Sequence, residues 1–173
     1  MLRLAILAIA VTATGCLEPG DNDIIQWSDD FEACELCGWR VSGDVTRVTT
    51  YHPGEHALRL GPGTTAQHDL GIDRGTDDGY GYGGNFTDGN WVELSTDCAG
   101  PGGLVVVGAA DAAQVQVTLD GRALGAFTRH YLNFPPLDPT VAHRFTSLAL
   151  TAGALPCRID NLQVRISGGT YAY

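Results

Sequence analysis

The sequence predicts an all-β fold, an antiparallel β-sandwich, from three observations. Glycine is abundant, with 23 residues in a chain of 173. Apolar and polar residues alternate over short runs and do not recur every third or fourth position, so no segment has the pattern of an amphipathic helix. Gly, Pro and Asp separate these runs at short intervals, as they do between the strands of a β-sandwich.

Ten segments have the composition and alternation of strands. They cover residues 24–32, 38–43, 45–50, 56–61, 65–70, 90–96, 103–109, 113–120, 143–150 and 157–166. Asp120 and Gly121 form a pair that tolerates positive φ at both central positions of a tight turn, so LDGRAL is predicted to be a hairpin. The segment RHYLNFPPLDP contains Pro135 and Pro136 and is predicted to be a long connection between strands.

The first residues have the layout of an export signal. Arg3 precedes an apolar run over residues 4–11, which is too short to span a bilayer, and small residues follow up to Cys16. We therefore predict that residues 1–15 are removed and do not belong to the fold.

The stretch ATGC, residues 13–16, resembles the lipobox of bacterial lipoproteins, with alanine at 13 where that family usually has leucine. The resemblance implies that Cys16 carries the lipid, such as palmitate, and that residues 16–23 form a flexible tether to the membrane. Leu17 follows the cysteine, and in that family an aspartate there favours the inner membrane, so the outer membrane is expected. The alternative is an ordinary secretory signal with an unrelated cysteine.

Length and charge limit the function classes. Residues 24–167 fit one domain with a core, followed by a short tail at 168–173. The net charge of −10, from 20 acidic residues against 10 basic ones, argues against nucleic acid and against electrostatic attachment to anionic lipid. An acidic surface suits solubility and also suits calcium.

Apart from Cys16, the cysteines number four, an even count in a chain exported to an oxidising compartment. Two disulfides are therefore predicted. Of the three pairings that four cysteines allow, we favour Cys34 with Cys37 as a local loop and Cys98 with Cys157 as a long-range link. A zinc site is the less favoured alternative, because no second close pair faces the CELC stretch.

His52, Glu55 and His56 follow the order H-x-x-E-H, which is a zinc-peptidase signature when it lies on a helix. Here Pro53 and Gly54 lie between the two histidines, and proline disfavours the helical conformation of the residue before it. The stretch is therefore predicted to be a turn that leads into a strand.

Three stretches resemble the galactose-binding-like jelly rolls of bacterial carbohydrate-binding modules. They are DDFE followed by GW (29–32 and 38–39), HPGEHALRL (52–60) and RIDNLQV (158–164). In that family the first and last strands are neighbours, and an acid from each often holds a structural calcium. The resemblance implies Glu32 and Asp160 as ligands, with backbone oxygens of 54–56. The alternative is that Glu32 pairs with an arginine such as Arg158.

Aromatic residues among glycines in the segment 71–91 offer a platform for a sugar ring, and RHYLNFPPLDP offers a second one. The candidate ligand-binding residues are Tyr80, Tyr82, Trp91, Arg129 and Tyr131. The alternative is that these segments pack their aromatic rings against the sandwich or serve as plain connections.

No catalytic machinery is indicated. The chain has no G-x-S-x-G nucleophile elbow, and nothing in the sequence marks a pair of acids. We therefore expect an envelope-anchored lipoprotein whose sandwich binds a glycan or another extracellular component without transforming it. The alternative is a structural lipoprotein that contacts another protein and has no small-molecule site.

Overall fold

The computed structural model describes residues 24–34, 36–52, 54–70, 90–110, 113–121, 125–134 and 145–166. The predictions for the signal (1–15), Cys16 and its tether (16–23), Tyr80, Tyr82 and the tail (168–173) lie outside these residues. Within the described residues, no helix has the length and apolar character needed to cross a membrane.

The described residues form eleven strands and no helix. They are β1 (Ile24–Asp29), β2 (Trp39–Ser42), β3 (Val45–Thr49), β4 (His56–Leu60), β5 (Thr65–Asp69), β6 (Asn90–Cys98), β7 (Leu104–Ala110), β8 (Ala113–Leu119), β9 (Thr128–Phe134), β10 (Ser147–Ala152) and β11 (Cys157–Ile166).

The strands build two antiparallel sheets, so the predicted antiparallel β-sandwich is confirmed. One sheet has six strands in the order β3-β4-β11-β6-β9, with β1 paired to β11 beyond the end of β4. The other has five strands in the order β2-β5-β10-β7-β8. The first and last strands are neighbours, as the resemblance to jelly rolls implies.

The core lies between the two sheets, where alternate side chains of each strand point inward. Leu94 of β6 and Leu150 of β10 are fully buried, and burying a side chain of this size contributes about 1.5–3 kcal/mol. Phe134 ends β9 and packs edge to face against Phe145, with ring centroids 5.2 Å apart. The alternation that predicted the strands is thus the alternation between core and solvent.

Strand β9 was not predicted, and the expectation of a plain connection for its residues is wrong. Leu132 and Phe134 alternate with the more exposed Tyr131 and Asn133 and fill the core. The strand pairs with β6 from Thr128 to Phe134. The prolines that suggested a connection follow the strand in the sequence, where they do not remove any of its hydrogen bonds.

The predicted hairpin at LDGRAL is also wrong. Strand β8 pairs with β7 in the five-stranded sheet, whereas β9 pairs with β6 in the other sheet, so the chain crosses between sheets here. Gly121 is needed for space, because a Cβ there would lie 2.5 Å from the carbonyl carbon of Ala99. Asp120 accepts a hydrogen bond from the Gly102 N–H at 2.9 Å.

Both favoured disulfides are present. Cys34 and Cys37 close a loop in the β1–β2 connection, with Cα atoms 5.7 Å apart. Cys98 and Cys157 are register partners on β6 and β11, with Cα atoms 4.1 Å apart. One disulfide is therefore local, and the other ties two central strands of the six-stranded sheet.

The H-x-x-E-H stretch forms the turn of the β3–β4 hairpin, as predicted. The Glu55 N–H donates to the His52 carbonyl at 3.2 Å, and Gly54 has a φ of 90°. His56 points to Glu32, whereas His52 lines a cleft together with Glu55.

Candidate ligand-binding groove

The surface of the six-stranded sheet that points away from the core, here called the outer face, is unusually polar. Cross-strand register places its residues in rows over three neighbouring strands. They are Trp91, Glu93, Ser95 and Asp97 on β6, Arg129, Tyr131 and Asn133 on β9, and Arg158, Asp160, Gln163 and Arg165 on β11.

All three carboxylates of this face are buried despite pointing away from the core, and Glu93 and Asp97 are the two buried most deeply. Glu93 is 3% exposed and Asp97 is 2% exposed. A buried charge is costly unless ion pairs and hydrogen bonds compensate it. Each of these two carboxylates is accordingly ion-paired with an arginine, and the guanidinium of that arginine lies over a tyrosine ring.

The first arrangement, the Tyr51 support, consists of Tyr51, Asp97 and Arg158. The Tyr51 hydroxyl donates to Asp97 Oδ2 at 2.6 Å and accepts from Arg158 at 2.6 Å, and Arg158 lies 2.9 Å from Asp97. The guanidinium also lies over the Tyr51 ring, 4.8 Å from its centroid. The hydrogen bond to Asp97 and burial raise the pKa of Tyr51, so its hydroxyl stays a donor.

The second arrangement, the Tyr131 support, consists of Tyr131, Glu93 and Arg129. Glu93 is ion-paired with Arg129, whose guanidinium lies over the Tyr131 ring, 5.1 Å from its centroid. Glu93 also lies 3.2 Å from Arg165, which donates to Gln163 at 2.7 Å. Among the described residues, one carboxylate is thus shared by two arginines at this end of the outer face.

A cleft of about 480 Å³ opens beside the Tyr51 support. Its lining residues are Thr50, Tyr51, His52, Glu55, Ser95, Gly125, Ala126, Phe127, Asp160 and Asn161. The rings of Tyr51 and Phe127 meet edge to face with centroids 6.0 Å apart. Asp97 accepts the Gly125 N–H at 3.2 Å, so one buried carboxylate holds both the Tyr51 ring and the loop that carries Phe127.

Tyr51 is 48% exposed although three contacts fix its position. An exposed aromatic ring that is already held in place loses little conformational freedom when a ligand stacks on it. The Tyr51 ring is therefore a preorganised surface for an apolar ligand face, with polar groups of the cleft around it.

Asp160 lies at a β-bulge in the pairing of β11 with β6. It is 9% exposed, and it accepts a hydrogen bond from the N–H of Asn161 at 2.7 Å. Burial raises the pKa of Asp160, and the nearby charges of Glu32 and Glu55 raise it further. This carboxyl group therefore holds a proton to higher pH than an ordinary aspartate.

Glu32, the other expected calcium ligand, binds the start of β4. Its carboxylate accepts from the His56 N–H, lies 2.8 Å from His56 Nδ1 and is 3.7 Å from Arg47. The hydrogen bonds from His56 lower the pKa of Glu32. The alternative that Glu32 pairs with an arginine is observed, but the arginine is Arg47, because Arg158 pairs with Asp97.

A bound cation would suit the electrostatic surroundings of Asp160. Burial and the nearby negative charges of Glu32 and Glu55 disfavour its ionised form, and a cation would compensate them. In geometry, the described residues contain no group of three or more His, Cys, Asp and Glu side chains arranged to hold a metal ion. Backbone oxygens would have to complete any calcium site here.

Three of the five predicted ligand residues, Trp91, Arg129 and Tyr131, lie on neighbouring strands of the outer face. Trp91 and Tyr131 are diagonal neighbours across the β6–β9 pair, a relation that corresponds to about 7–8 Å between backbone positions. The structure brings these residues together although 37 positions separate Trp91 from Arg129 in the sequence. Tyr80 and Tyr82 lie outside the described residues.

The sequence did not indicate Tyr51, Glu93, Asp97 or Phe127. Tyr51 precedes the H-x-x-E-H stretch, which indicated only a turn, and Glu93 lies at a solvent-facing position of the predicted strand 90–96, which Asp97 follows. Two acids four residues apart on that face were the available signal, because a strand places them on the same side.

No protein-family model matches the chain, and no curated protein matches it. Among solved structures, a xylan-binding domain from a family 22 carbohydrate-binding module is 13% identical. The match covers 85% of this chain and 97% of the xylan-binding domain, with a TM-score of 0.50. A structure from Clostridium thermocellum holds the N-terminal modules of an endo-1,4-β-D-xylanase with xylohexaose. The xylanase chain is 15% identical, and the match covers 87% of this chain and 29% of the xylanase chain, with a TM-score of 0.50. At such identity the likeness shows the fold, and this chain has the β-sandwich fold of these carbohydrate-binding modules.

Proposed function

We propose that this protein is a non-catalytic binding module that takes a glycan chain along the outer face of its six-stranded sheet. The observation that carries the proposal is the exposed Tyr51 ring. Its hydroxyl is hydrogen-bonded to Asp97, and the Arg158 guanidinium lies against its ring. Sugar rings pack their apolar faces on such aromatic side chains, while polar neighbours bond their hydroxyls.

The outer face has the length for a chain of sugars. From Asp97 to Trp91 along β6, a rise of about 3.3 Å per residue gives a span of about 20 Å. Tyr51 lies at one end of this span and Trp91 at the other, with the Tyr131 support between them. A row of aromatic and charged groups of this length suits an extended oligosaccharide better than a single sugar.

Two further observations support this function. The similar solved structures include a xylan-binding domain and a xylanase chain whose CBM22-1 and GH10 modules are complexed with xylohexaose, so a β-1,4-linked xylan is the first ligand class to test. Because one fold hosts many functions, the second observation concerns the exposed residues themselves. Exposed large apolar side chains among the described residues are Val41, Tyr51 and Leu155, and only Tyr51 borders the cleft.

A binding role fits the state of the two ion-paired acids, Glu93 and Asp97. Glycoside hydrolysis uses a proton-donating carboxyl group and a second, ionised carboxylate that acts as nucleophile or base. Glu93 and Asp97 are both ion-paired with arginines that support a tyrosine, which is a structural task. The outer face therefore suits a ligand that is positioned by aromatic rings and fixed polar groups.

The proposal is tested by titrating purified protein carrying Cys16→Ser with xylohexaose in a calorimeter, after a glycan array has ranked other chains. Tyr51→Ala should lower affinity by about tenfold, since losing an aromatic stack costs about 1.5 kcal/mol. Val41→Ala is the matched control, because Val41 is equally exposed but lies on β2 of the other sheet. Absence of binding to every glycan, or equal losses in both variants, would contradict the proposal.

The proposal includes export and lipid anchoring through Cys16, most simply at the outer membrane. Support comes from the charged, apolar and small-residue segments ahead of Cys16 and from the resemblance to the lipobox. Cys16→Ser should move the protein from the membrane fraction to the soluble fraction of cells that express it. Continued membrane association of the variant would remove the anchor from the proposal.

It also includes a structural calcium held by Glu32 and Asp160 together with backbone oxygens. Support comes from the raised pKa of Asp160, whose burial beside Glu32 a divalent cation would compensate. A chelator should lower the melting temperature of the wild type and hardly change that of Asp160→Ala. Equal sensitivity to the chelator in both proteins would dismiss the calcium site.

A further inference from the structure

The two disulfides of this protein differ sharply in their surroundings. Cys98 and Cys157 are buried, at 6% and 0% exposure, and join two central strands. Cys34 is half-buried and Cys37 is exposed, in the connection between β1 and β2. Thiol–disulfide exchange needs a thiolate to reach a sulfur atom, so only the second bridge is open to attack in the folded protein.

We propose that the Cys34–Cys37 bridge is a thiol–disulfide exchange site for low-molecular-weight thiols, with Cys37 as the sulfur attacked and Cys34 as the sulfur released. The two sulfur atoms have unequal positions, because Cys37 is the more exposed residue. An incoming thiolate therefore meets the Cys37 sulfur first.

A hydrogen bond prepares Cys34 to leave. The backbone N–H of Cys37 donates to the Cys34 sulfur at 3.1 Å. When the bridge opens, negative charge develops on the leaving sulfur, and a hydrogen bond to an ionised acceptor is about twice as strong as one to a neutral acceptor. The N–H is fixed by the chain next to the sulfur and therefore stabilises the released thiolate without rearrangement.

The loop conformation adds to the tendency to open. Leu36, between the two cysteines, has a φ of 59°, a left-handed conformation that non-glycine residues adopt only under strain. Its carbonyl accepts the N–H of Trp39 at 3.1 Å, so the strained turn is held on both sides. Opening of the bridge removes one of these constraints and lets Leu36 relax.

The exchange has two steps, and each conserves atoms and electrons. A thiolate forms a bond to the Cys37 sulfur, the bond between the two protein sulfurs breaks, and its electron pair stays on the Cys34 sulfur. A second thiolate then takes the first thiol off Cys37 as a free disulfide and leaves two protein thiols. In the reverse direction, the Cys34 thiolate attacks the mixed disulfide on Cys37 and restores the bridge.

The test uses the full chain carrying Cys16→Ser, so that the four disulfide cysteines are the only ones present. Reduced glutathione is added to the folded protein, the reaction is quenched with an alkylating agent, and each cysteine is mapped by mass spectrometry. The Cys34–Cys37 bridge should open about tenfold or more faster than Cys98–Cys157, and glutathione should be found on Cys37. Equal rates for the two bridges, opening only after denaturation, or glutathione on Cys34 would overturn the proposal.

Two single variants sharpen the assignment. With oxidised glutathione, Cys34→Ser should form its mixed disulfide several-fold faster than Cys37→Ser, because its remaining cysteine is the more exposed residue. The mapping experiment on the unsubstituted bridge decides the question even if a variant folds poorly. Equal rates in two variants that melt like the parent protein would contradict the assignment of the attacked sulfur.

Discussion

The Tyr51 support and the Tyr131 support use one arrangement in two ways. In both, a buried carboxylate of β6 pairs with an arginine whose guanidinium lies over a tyrosine ring. At the Tyr51 support the carboxylate also bonds the tyrosine hydroxyl, and one negative charge balances one positive charge. At the Tyr131 support the carboxylate is shared between two arginines, Arg129 and Arg165.

This difference indicates which end of the outer face would anchor the proposed glycan. Tyr51 is exposed and held at its hydroxyl and its ring face, so it offers a fixed stacking surface. The Tyr131 ring is half-buried beneath an arginine that is 60% exposed, so this end presents a cation more than a ring. We therefore expect stacking at the Tyr51 end and polar, charge-assisted contacts at the Tyr131 end.

The largest effect is expected when the Asp97 carboxylate is removed. Asp97→Ala leaves Arg158 and the Tyr51 hydroxyl without their partner, and breaking a buried ion pair costs about 3 kcal/mol of unfolding free energy. Denaturant unfolding measures this loss. The control is Asp44→Ala, whose exposed ion pair with Arg59 contributes below about 1 kcal/mol. Equal losses in the two variants would contradict the role of Asp97 as the carboxylate that holds both Tyr51 and Arg158.

The next effect separates the two tyrosines in ligand binding. Tyr51→Ala should weaken glycan binding by about tenfold and Tyr131→Ala by about threefold, because only the Tyr51 ring is open for stacking. Calorimetry with the same glycan measures both. A larger loss for Tyr131→Ala would reverse the order of the two ends and with it the role given to Tyr51.

A smaller effect isolates the Tyr51 hydroxyl from its ring. Tyr51→Phe keeps the ring but removes the bonds to Asp97 and Arg158, and should lower the unfolding free energy by about 1 kcal/mol. Tyr131→Phe should change stability less, because Arg129 holds that ring through its face. If the two phenylalanine variants lose the same stability, the hydroxyl of Tyr51 has no special part in the support.

The smallest effect concerns pH and Asp160, the buried carboxyl group of the outer face for which the described residues supply no arginine partner. The pKa of Asp160 is raised above its ordinary 3.8, so above pH 3.8 the folded state binds more protons at this group than the unfolded chain does. Its contribution to stability therefore falls as pH rises through the folded-state pKa. Asp160→Asn should remove this fall in melting temperature, measured in the presence of a chelator, whereas Asp120→Asn should keep it. An unchanged pH profile for Asp160→Asn would contradict the burial argument.

The fold could be predicted from the sequence because alternation in a strand reports directly which side faces the core. The predicted segments match ten of the eleven strands, with boundaries that differ where a turn begins earlier, as at Phe31 with its φ of 59°. Strand β9 was missed because Pro135 and Pro136 adjoin it, and because polar residues outnumber apolar ones over 128–134.

The site could be predicted only in part. Trp91, Arg129 and Tyr131 were identified as aromatic and cationic residues suited to sugars, and the register of β6 with β9 brings them together. Tyr51 was missed because its importance depends on Asp97 and Arg158, which come from strands far away in the sequence. Such long-range pairing follows from sheet order, which a single sequence does not specify.

The most direct test of the central claim is a titration of the protein with xylohexaose, or with the best glycan from the array, followed by nuclear magnetic resonance. We expect saturable shifts of the Trp91 indole and of the Tyr51 and Tyr131 signals, while the signal of the Trp39 indole, which is buried and donates to Asp29 at 2.8 Å, stays in place. Saturable shifts confined to the five-stranded sheet would contradict it.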